Sequence, residues 1–81
     1  MLFRSMGVTY YNEGKIDEAL EEFKIVVKNN RENAEAFYRL ALCYYSTGLL
    51  DKAMGSLREA LRIEPENYKA RALRERIELF Q

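Results

Sequence analysis

Few side chains in this sequence could take part in bond-making chemistry. The 81 residues contain one cysteine, Cys43, and no histidine. Without histidine, the common general base beside a nucleophile and the common nitrogen ligand of zinc are both missing. The sequence also has no glycine-rich loop that could cradle a phosphate. It therefore predicts a protein that is not an enzyme and that uses no cofactor or metal.

Cys43 and the acidic residues have simpler structural interpretations. Cys43 falls in an apolar helical pattern, so we expect a buried and unreactive thiol. One acidic run has the spacing of a solvated helix face: Asp17, Glu18, Glu21 and Glu22. A docking patch for a basic partner is the alternative for that run, and no second sequence feature favours it.

The single cysteine and the absence of long apolar stretches bear on location. A lone cysteine cannot form an internal disulfide and fits a reducing compartment. No apolar stretch approaches the length that a membrane-spanning helix needs, which is about 20 residues. We therefore expect a cytoplasmic location.

The charge balance bears on the class of partner. Thirteen basic and thirteen acidic side chains give a formal net charge of zero. Such a chain has no overall field that draws it to nucleic acid or to an acidic membrane. The sequence also lacks a series of side chains suited to reading bases. We therefore expect a protein or peptide partner, with no nucleic acid and no membrane.

The elements that must position a binding site are visible as an internal repeat. The shift that moves Phe3 onto Phe37, called the repeat shift below, also aligns identical residues in the rest of the sequence. The further pairs are Tyr10 and Tyr44, Tyr11 and Tyr45, Gly14 and Gly48, Asp17 and Asp51, Ala19 and Ala53, Glu32 and Glu66, and Asn33 and Asn67. An ordered set at a single shift indicates a duplicated structural unit.

Within each unit the apolar residues recur at helical spacing. Gly14 and Gly48 follow the first helix of each unit, where a left-handed glycine commonly ends a helix. Pro65 ends the fourth helix, and Asn67 is placed to cap the fifth. The pattern predicts an all-α chain of five helices, near residues 2–13, 17–29, 34–46, 51–63 and 67–80.

This pattern resembles the tetratricopeptide repeat family, whose 34-residue signature is W-x2-L-G-x2-Y, then A-x3-F, then Ala and Pro. The first unit supplies Phe3, Met6, Gly7, Tyr10, Ala19, Phe23, Val26 and Arg31 at these places, and the second supplies Phe37, Leu40, Ala41, Tyr44, Ala53, Leu57, Ala60 and Pro65. Arg31 in place of proline and Val26 in place of alanine are the departures. The resemblance implies two repeats, 1–33 and 34–67, followed by a capping helix over 68–81. It further implies antiparallel helix hairpins that stack into a right-handed superhelix with a concave groove.

The fifth helix has lost the family signature on one side only. It keeps an apolar stripe of Ala70, Leu73 and Ile77, and its other faces are charged. Such a helix can cover the preceding repeat and present a polar surface to water. Leu79 and Phe80 are less polar than a simple cap predicts. Either the helix end frays there, or the chain continues, or a partner covers them.

The resemblance implies that a groove for peptides lies along the first helix of each repeat. The candidate groove residues are Arg4, Val8, Tyr11 and Asn12, then Tyr38, Leu42, Tyr45 and Ser46, then Lys69 and Arg76 on the cap. Aromatic anchors with a basic rim suit an extended or helical peptide that carries apolar side chains and some negative charge. The alternative is that the tyrosines only pack between neighbouring helices. Val8 and Leu42 are the better candidates for contact with a ligand.

Two further expectations concern the type of partner. Some members of the family hold a peptide carboxylate with Lys, Asn, Asn, Lys and Arg, and the matching positions here are Arg4, Val8, Arg39, Lys69 and Leu73. Only Lys69 is identical, so we predict that this carboxylate clamp is absent. A second possible function is self-association through the two ends of the stack, where Leu2, Phe3 and Met6 lie at one end and Leu79 and Phe80 at the other.

Overall fold

The computed structural model describes residues 6–80, and this part of the chain contains five α-helices. They are α1 (Met6–Asn12), α2 (Ile16–Asn29), α3 (Ala34–Ser46), α4 (Leu50–Ile63) and α5 (Tyr68–Glu78). The all-α prediction is confirmed, and the helix ends agree with the expected ranges to within two residues wherever both can be compared. The predicted start of the first helix, at residue 2, lies outside the described residues.

Each of the two helix hairpins turns at a glycine. Gly14 and Gly48 both have φ +81°, in the left-handed region that favours glycine. The amide N–H groups of Lys15 and Leu49 donate to the Tyr10 and Tyr44 carbonyls at 2.8 and 2.9 Å. The amides of Gly14 and Gly48 donate to the carbonyls of Tyr11 and Tyr45, respectively. This bonding pattern satisfies the last carbonyls of α1 and α3 and confirms the predicted helix-ending glycines.

Asparagine side chains begin the helices that follow the longer connections. The Asn67 Oδ1 accepts a hydrogen bond from the Ala70 amide at 3.0 Å, which confirms the predicted cap of α5. Asn33 accepts from the Ala36 amide at the same distance and caps α3. Each bond satisfies one amide that the start of a helix leaves without an intrahelical acceptor.

Small residues let the helices approach closely, and large ones fill the space beside them. Ala19, Ala41 and Ala53 have no exposed surface, and neither does Leu57. α3 lies at the centre and packs against α2, α4 and α5. In the first hairpin the glycine at position 7 is buried, and a Cβ atom there would lie 2.8 Å from two carbons of the Phe23 ring. The absence of a side chain at position 7 therefore lets α1 approach α2 closely.

α5 covers the second hairpin along one stripe. Ala70 and Ile77 have no exposed surface and Leu73 has 7%, which confirms the predicted inward stripe. The opposite side of the helix is charged and largely in water. Beyond α5, Leu79 is 84% exposed and Phe80 is 68% exposed. No part of the described chain covers these two side chains.

Candidate functional site

The candidate groove residues lie on α1, α3 and α5. Val8 and Tyr11 are half-buried on α1, and Tyr38, Leu42 and Tyr45 are half-buried on α3. All five pack against the core. The remaining described candidates are exposed: Asn12, Ser46, Lys69 and Arg76. Arg4 lies outside the described residues.

The half-burial of the apolar candidates follows from the repeat. The repeat shift aligns Val8 with Leu42 and Tyr11 with Tyr45, so each pair occupies one register position on successive first helices. One side of each side chain packs against the core, and the other side remains in water. These residues thus stabilise the fold and still present apolar surface that a ligand could cover.

The hydroxyl of Tyr38 has a raised pKa, and partial burial is the largest cause. Partial burial raises the pKa of its hydroxyl, Arg39 lowers it, and Glu35, Tyr11 and Tyr68 raise it. Tyr11 is on α1 and Tyr68 is on α5, so side chains from both neighbouring helices lie within interaction range of Tyr38 on α3. Tyr38 on α3 is thus influenced by one tyrosine of α1 and one of α5.

Tyr68 was missed by the sequence reasoning. It is the first residue of α5 and its side chain is 75% exposed. The repeat shift aligns it with Ala34, whose side chain is 3% exposed. The replacement of a small residue by an aromatic one between aligned positions of the repeat was a usable sequence signal for Tyr68. It marks a place where the surface of α5 departs from that of α3.

The cationic side chains on α3 and α5 differ in whether they form ion pairs. The Arg39 guanidinium donates to the Glu35 carboxylate at 2.8 Å, so its charge is locally balanced. Lys69 and Arg76 on α5 are exposed, and neither forms an ion pair within the described part of the chain. Lys69 and Arg76 are therefore the described candidates whose charge is available to a ligand. Lys69 also borders an open depression with Glu35, Glu64, Glu66, Asn67 and Tyr68.

Two of the positions that would form a carboxylate clamp serve other purposes here. Leu73 belongs to the core stripe of α5, and Arg39 is held by Glu35. Only Lys69 is left free to contact a carboxylate at the described positions. This geometry favours the prediction that the clamp is absent.

Cys43 has the environment expected for a structural thiol. Its side chain has no exposed surface, and burial raises its pKa from 9.0 to about 11. A thiol that is protonated and enclosed is a poor nucleophile at neutral pH. Residues 6–80 also contain no group of three or more Cys, Asp or Glu residues placed to hold a metal ion. No helix in this range is long and apolar enough to cross a membrane.

Comparison with known proteins agrees with the repeat and the helical fold. A family model described as tetratricopeptide repeat matches residues 5–68, more than half of the chain. The chain belongs to the tetratricopeptide repeat family. Members of this family are in general non-catalytic modules for protein interaction.

Several curated proteins contain a similar segment. The chain is 35% identical over 65 residues to BBSome complex member BBS4 from Bos taurus. This aligned segment covers 80% of this chain and 12% of that protein. It is 29% identical over 84 residues to the tetratricopeptide repeat domain-containing protein PYG7, chloroplastic, from Arabidopsis thaliana, covering 99% of this chain and 28% of that protein. It is 32% identical over 69 residues to anaphase-promoting complex subunit CDC16 from Saccharomyces cerevisiae, covering 85% and 8%. The chain thus spans less than a third of each of these relatives.

Proposed function

We propose that this chain is a protein-interaction scaffold that binds a peptide or a partner helix along α1, α3 and α5. The observation that carries the proposal is a row of half-buried apolar side chains on α1 that recurs at the aligned positions of α3. Val8 and Leu42 form one pair in this row, and Tyr11 and Tyr45 form the other. Because each side chain is held by the core, little rotamer freedom is lost when a ligand covers it.

The composition of the surface suits a particular kind of peptide. Apolar and aromatic surface favours a ligand with apolar side chains at alternating or helical spacing. Lys69 and Arg76 are exposed cations without a partner in the described chain, and they favour acidic residues near one end of that ligand. A peptide with apolar anchors and a few carboxylates therefore fits best.

The relatives are consistent with a scaffold role. Two of them are named as a member of the BBSome complex and a subunit of the anaphase-promoting complex. We propose that this chain likewise acts within a protein assembly, has no enzymatic activity, and consists of repeats over 1–33 and 34–67 with a capping helix over 68–81. The cytoplasmic location stays a prediction.

Selection of random peptides displayed on phage tests the groove directly. Peptides selected on the wild-type chain are measured by isothermal titration against a variant with Val8→Thr and Leu42→Gln. Val8→Thr keeps the shape of the side chain, Leu42→Gln keeps a flexible stem of similar bulk, and both add polar atoms where the ligand is expected. We expect the affinity to fall at least tenfold, which corresponds to about 1.4 kcal/mol.

The chain offers a closely matched control. Val27 and Leu61 are also a half-buried valine and leucine that the repeat shift aligns, but they lie on the second helices α2 and α4. Val27→Thr with Leu61→Gln should leave the affinity unchanged. Equal losses in the two double variants would show that the effect comes from stability and would refute the groove.

The basic rim has its own test. Lys69→Glu should weaken binding of the acidic peptides among those selected, and Arg58→Glu, an exposed charge reversal on α4, should not. The effect of Lys69→Glu should shrink in 1 M salt, because exposed charges are screened within about 3 Å at that ionic strength. No difference between the two variants would remove α5 from the binding surface.

A further inference from the structure

An ion pair lies on the groove side of α3. The Arg39 Nε donates to a Glu35 carboxylate oxygen at 2.8 Å, one helical turn away. Counted from Glu35, the spacing of Tyr38, Arg39 and Leu42 is i+3, i+4 and i+7, which places them on one face of the helix. The side chains of Arg39 and Glu35 are 28% and 54% exposed. A ligand that covers Tyr38 and Leu42 would therefore meet this pair.

The two charges of the pair act on a groove side chain. Burial is the main cause of the raised pKa of the Tyr38 hydroxyl, and beyond it Arg39 lowers this pKa and Glu35 raises it. Both charged groups therefore lie within interaction range of the Tyr38 hydroxyl. Their opposite effects show that the carboxylate offsets the guanidinium charge at this part of the groove.

The aligned positions of α5 carry cations that have no such partner. The repeat shift aligns Glu35 with Lys69 and Leu42 with Arg76. Lys69 and Arg76 are exposed and stand outside every ion pair formed among residues 6–80. Glu35 and Lys69 also line one open depression. A neutralised section on α3 thus adjoins a positively charged section on α5.

We propose that Glu35 determines where the groove accepts acidic residues: it occupies Arg39, so a ligand places carboxylates over α5 and uncharged residues over α3. This inference rests on the proposed binding of a peptide along α1, α3 and α5. A ligand carboxylate that approached Arg39 would have to displace Glu35 and would be repelled by its charge. Glu35 is held on the same helix as Arg39, whereas the ligand group has to be ordered when it binds.

Aspartate scanning of a selected peptide tests where carboxylates are accepted. A peptide selected by phage display on the wild-type chain has each residue replaced in turn by Asp, and isothermal titration measures each affinity for wild type and for Glu35→Gln. Glutamine keeps the bulk of the side chain and removes its charge. On wild type, an added Asp should tighten binding only where Lys69→Glu abolishes the gain. On Glu35→Gln, at least one further position should gain about threefold, the size expected for an exposed ion pair.

Two further variants show whether Arg39 supplies this gain. Glu35→Gln combined with Arg39→Gln should lose the gain, because the cation is gone. Glu66→Gln is the matched control: Glu66 is exposed and lines the same depression, but it pairs with no cation in the described part of the chain. The peptide with the further Asp should bind Glu66→Gln no more tightly than it binds wild type. Circular dichroism confirms that each variant keeps the fold.

The outcomes separate this proposal from the binding function on which it rests. The role of Glu35 is wrong if Glu35→Gln gives no further position, if Glu66→Gln gives the same gain, or if the gain survives Arg39→Gln. Peptide binding in the groove is judged by the loss of affinity in Val8→Thr with Leu42→Gln. If that loss is present and the Glu35→Gln gain is absent, only the role of Glu35 is refuted. If that loss is itself absent, both proposals are wrong.

Discussion

Packing at Gly7 sets up a test of how the two hairpins differ. A Cβ atom at Gly7 would lie 2.8 Å from the Phe23 Cε1 and Cζ atoms, and the Phe23 side chain is only 2% exposed. Ordinary contact begins near 3.4 Å, so the ring or the helix has to shift by about half an ångström. Overpacking of this kind costs about 1–3 kcal/mol. The better helix propensity of alanine offsets about 1 kcal/mol.

Gly7→Ala should therefore lower the free energy of unfolding by about 1 kcal/mol, with a range of about 0–2. Phe23→Leu alone should also cost about 1 kcal/mol, because it removes buried ring atoms and leaves space. The double variant should recover most of this loss. The same pair already occurs in the second hairpin, where Ala41 and Leu57 are both fully buried.

Urea denaturation followed by circular dichroism at 222 nm measures all four free energies of the cycle. We expect a favourable coupling of at least about 1 kcal/mol between Gly7→Ala and Phe23→Leu. The reciprocal change, Leu57→Phe, should destabilise the second hairpin and be rescued by Ala41→Gly. Additive effects in both hairpins, within about 0.3 kcal/mol, would refute the argument that residue size is matched across each helix pair.

Three other changes follow from the described contacts. Gly55 lies inside α4, and a Cβ atom added there would have no atom within 4 Å, so Gly55→Ala should stabilise the chain by about 0.8–1 kcal/mol. Gly14 has φ +81°, so Gly14→Ala should destabilise the chain in the same urea titration. Asn67→Ala removes the cap of α5 and should cost about 1 kcal/mol, or about 4–8 °C in the midpoint of a thermal melt; an unchanged midpoint would show that the cap is not needed. Burial raises the Cys43 pKa from 9.0 to about 11, so the stability it contributes is complete below pH 9 and is lost as the pH rises toward 11. The difference in unfolding free energy between wild type and Cys43→Ala should shrink over that interval by on the order of 2 kcal/mol, and a constant difference would contradict the burial argument.

The sequence alone determined the local elements, because local patterns carry their own physical cause. A glycine after each first helix predicts the left-handed turn, since a side chain at φ +81° clashes with the backbone. Asn67 predicts the start of α5, because its side chain reaches an amide only three residues away. The spacing of Ala70, Leu73 and Ile77 predicts which side of α5 is buried. None of these inferences needs a distant residue.

Only the tertiary structure decided the features that depend on residues far apart in the chain. Arg62 at the end of α4 pairs at 3.2 Å with Glu32 in the connection between α2 and α3, and the sequence carries no signal for that pairing across 30 residues. The requirement for glycine at position 7 comes from the Phe23 ring on the neighbouring helix. The half-burial of the groove side chains and the exposure of the two ends likewise depend on which helices cover them. Contacts of this kind are set by the packing of whole helices, and a single local pattern cannot specify them.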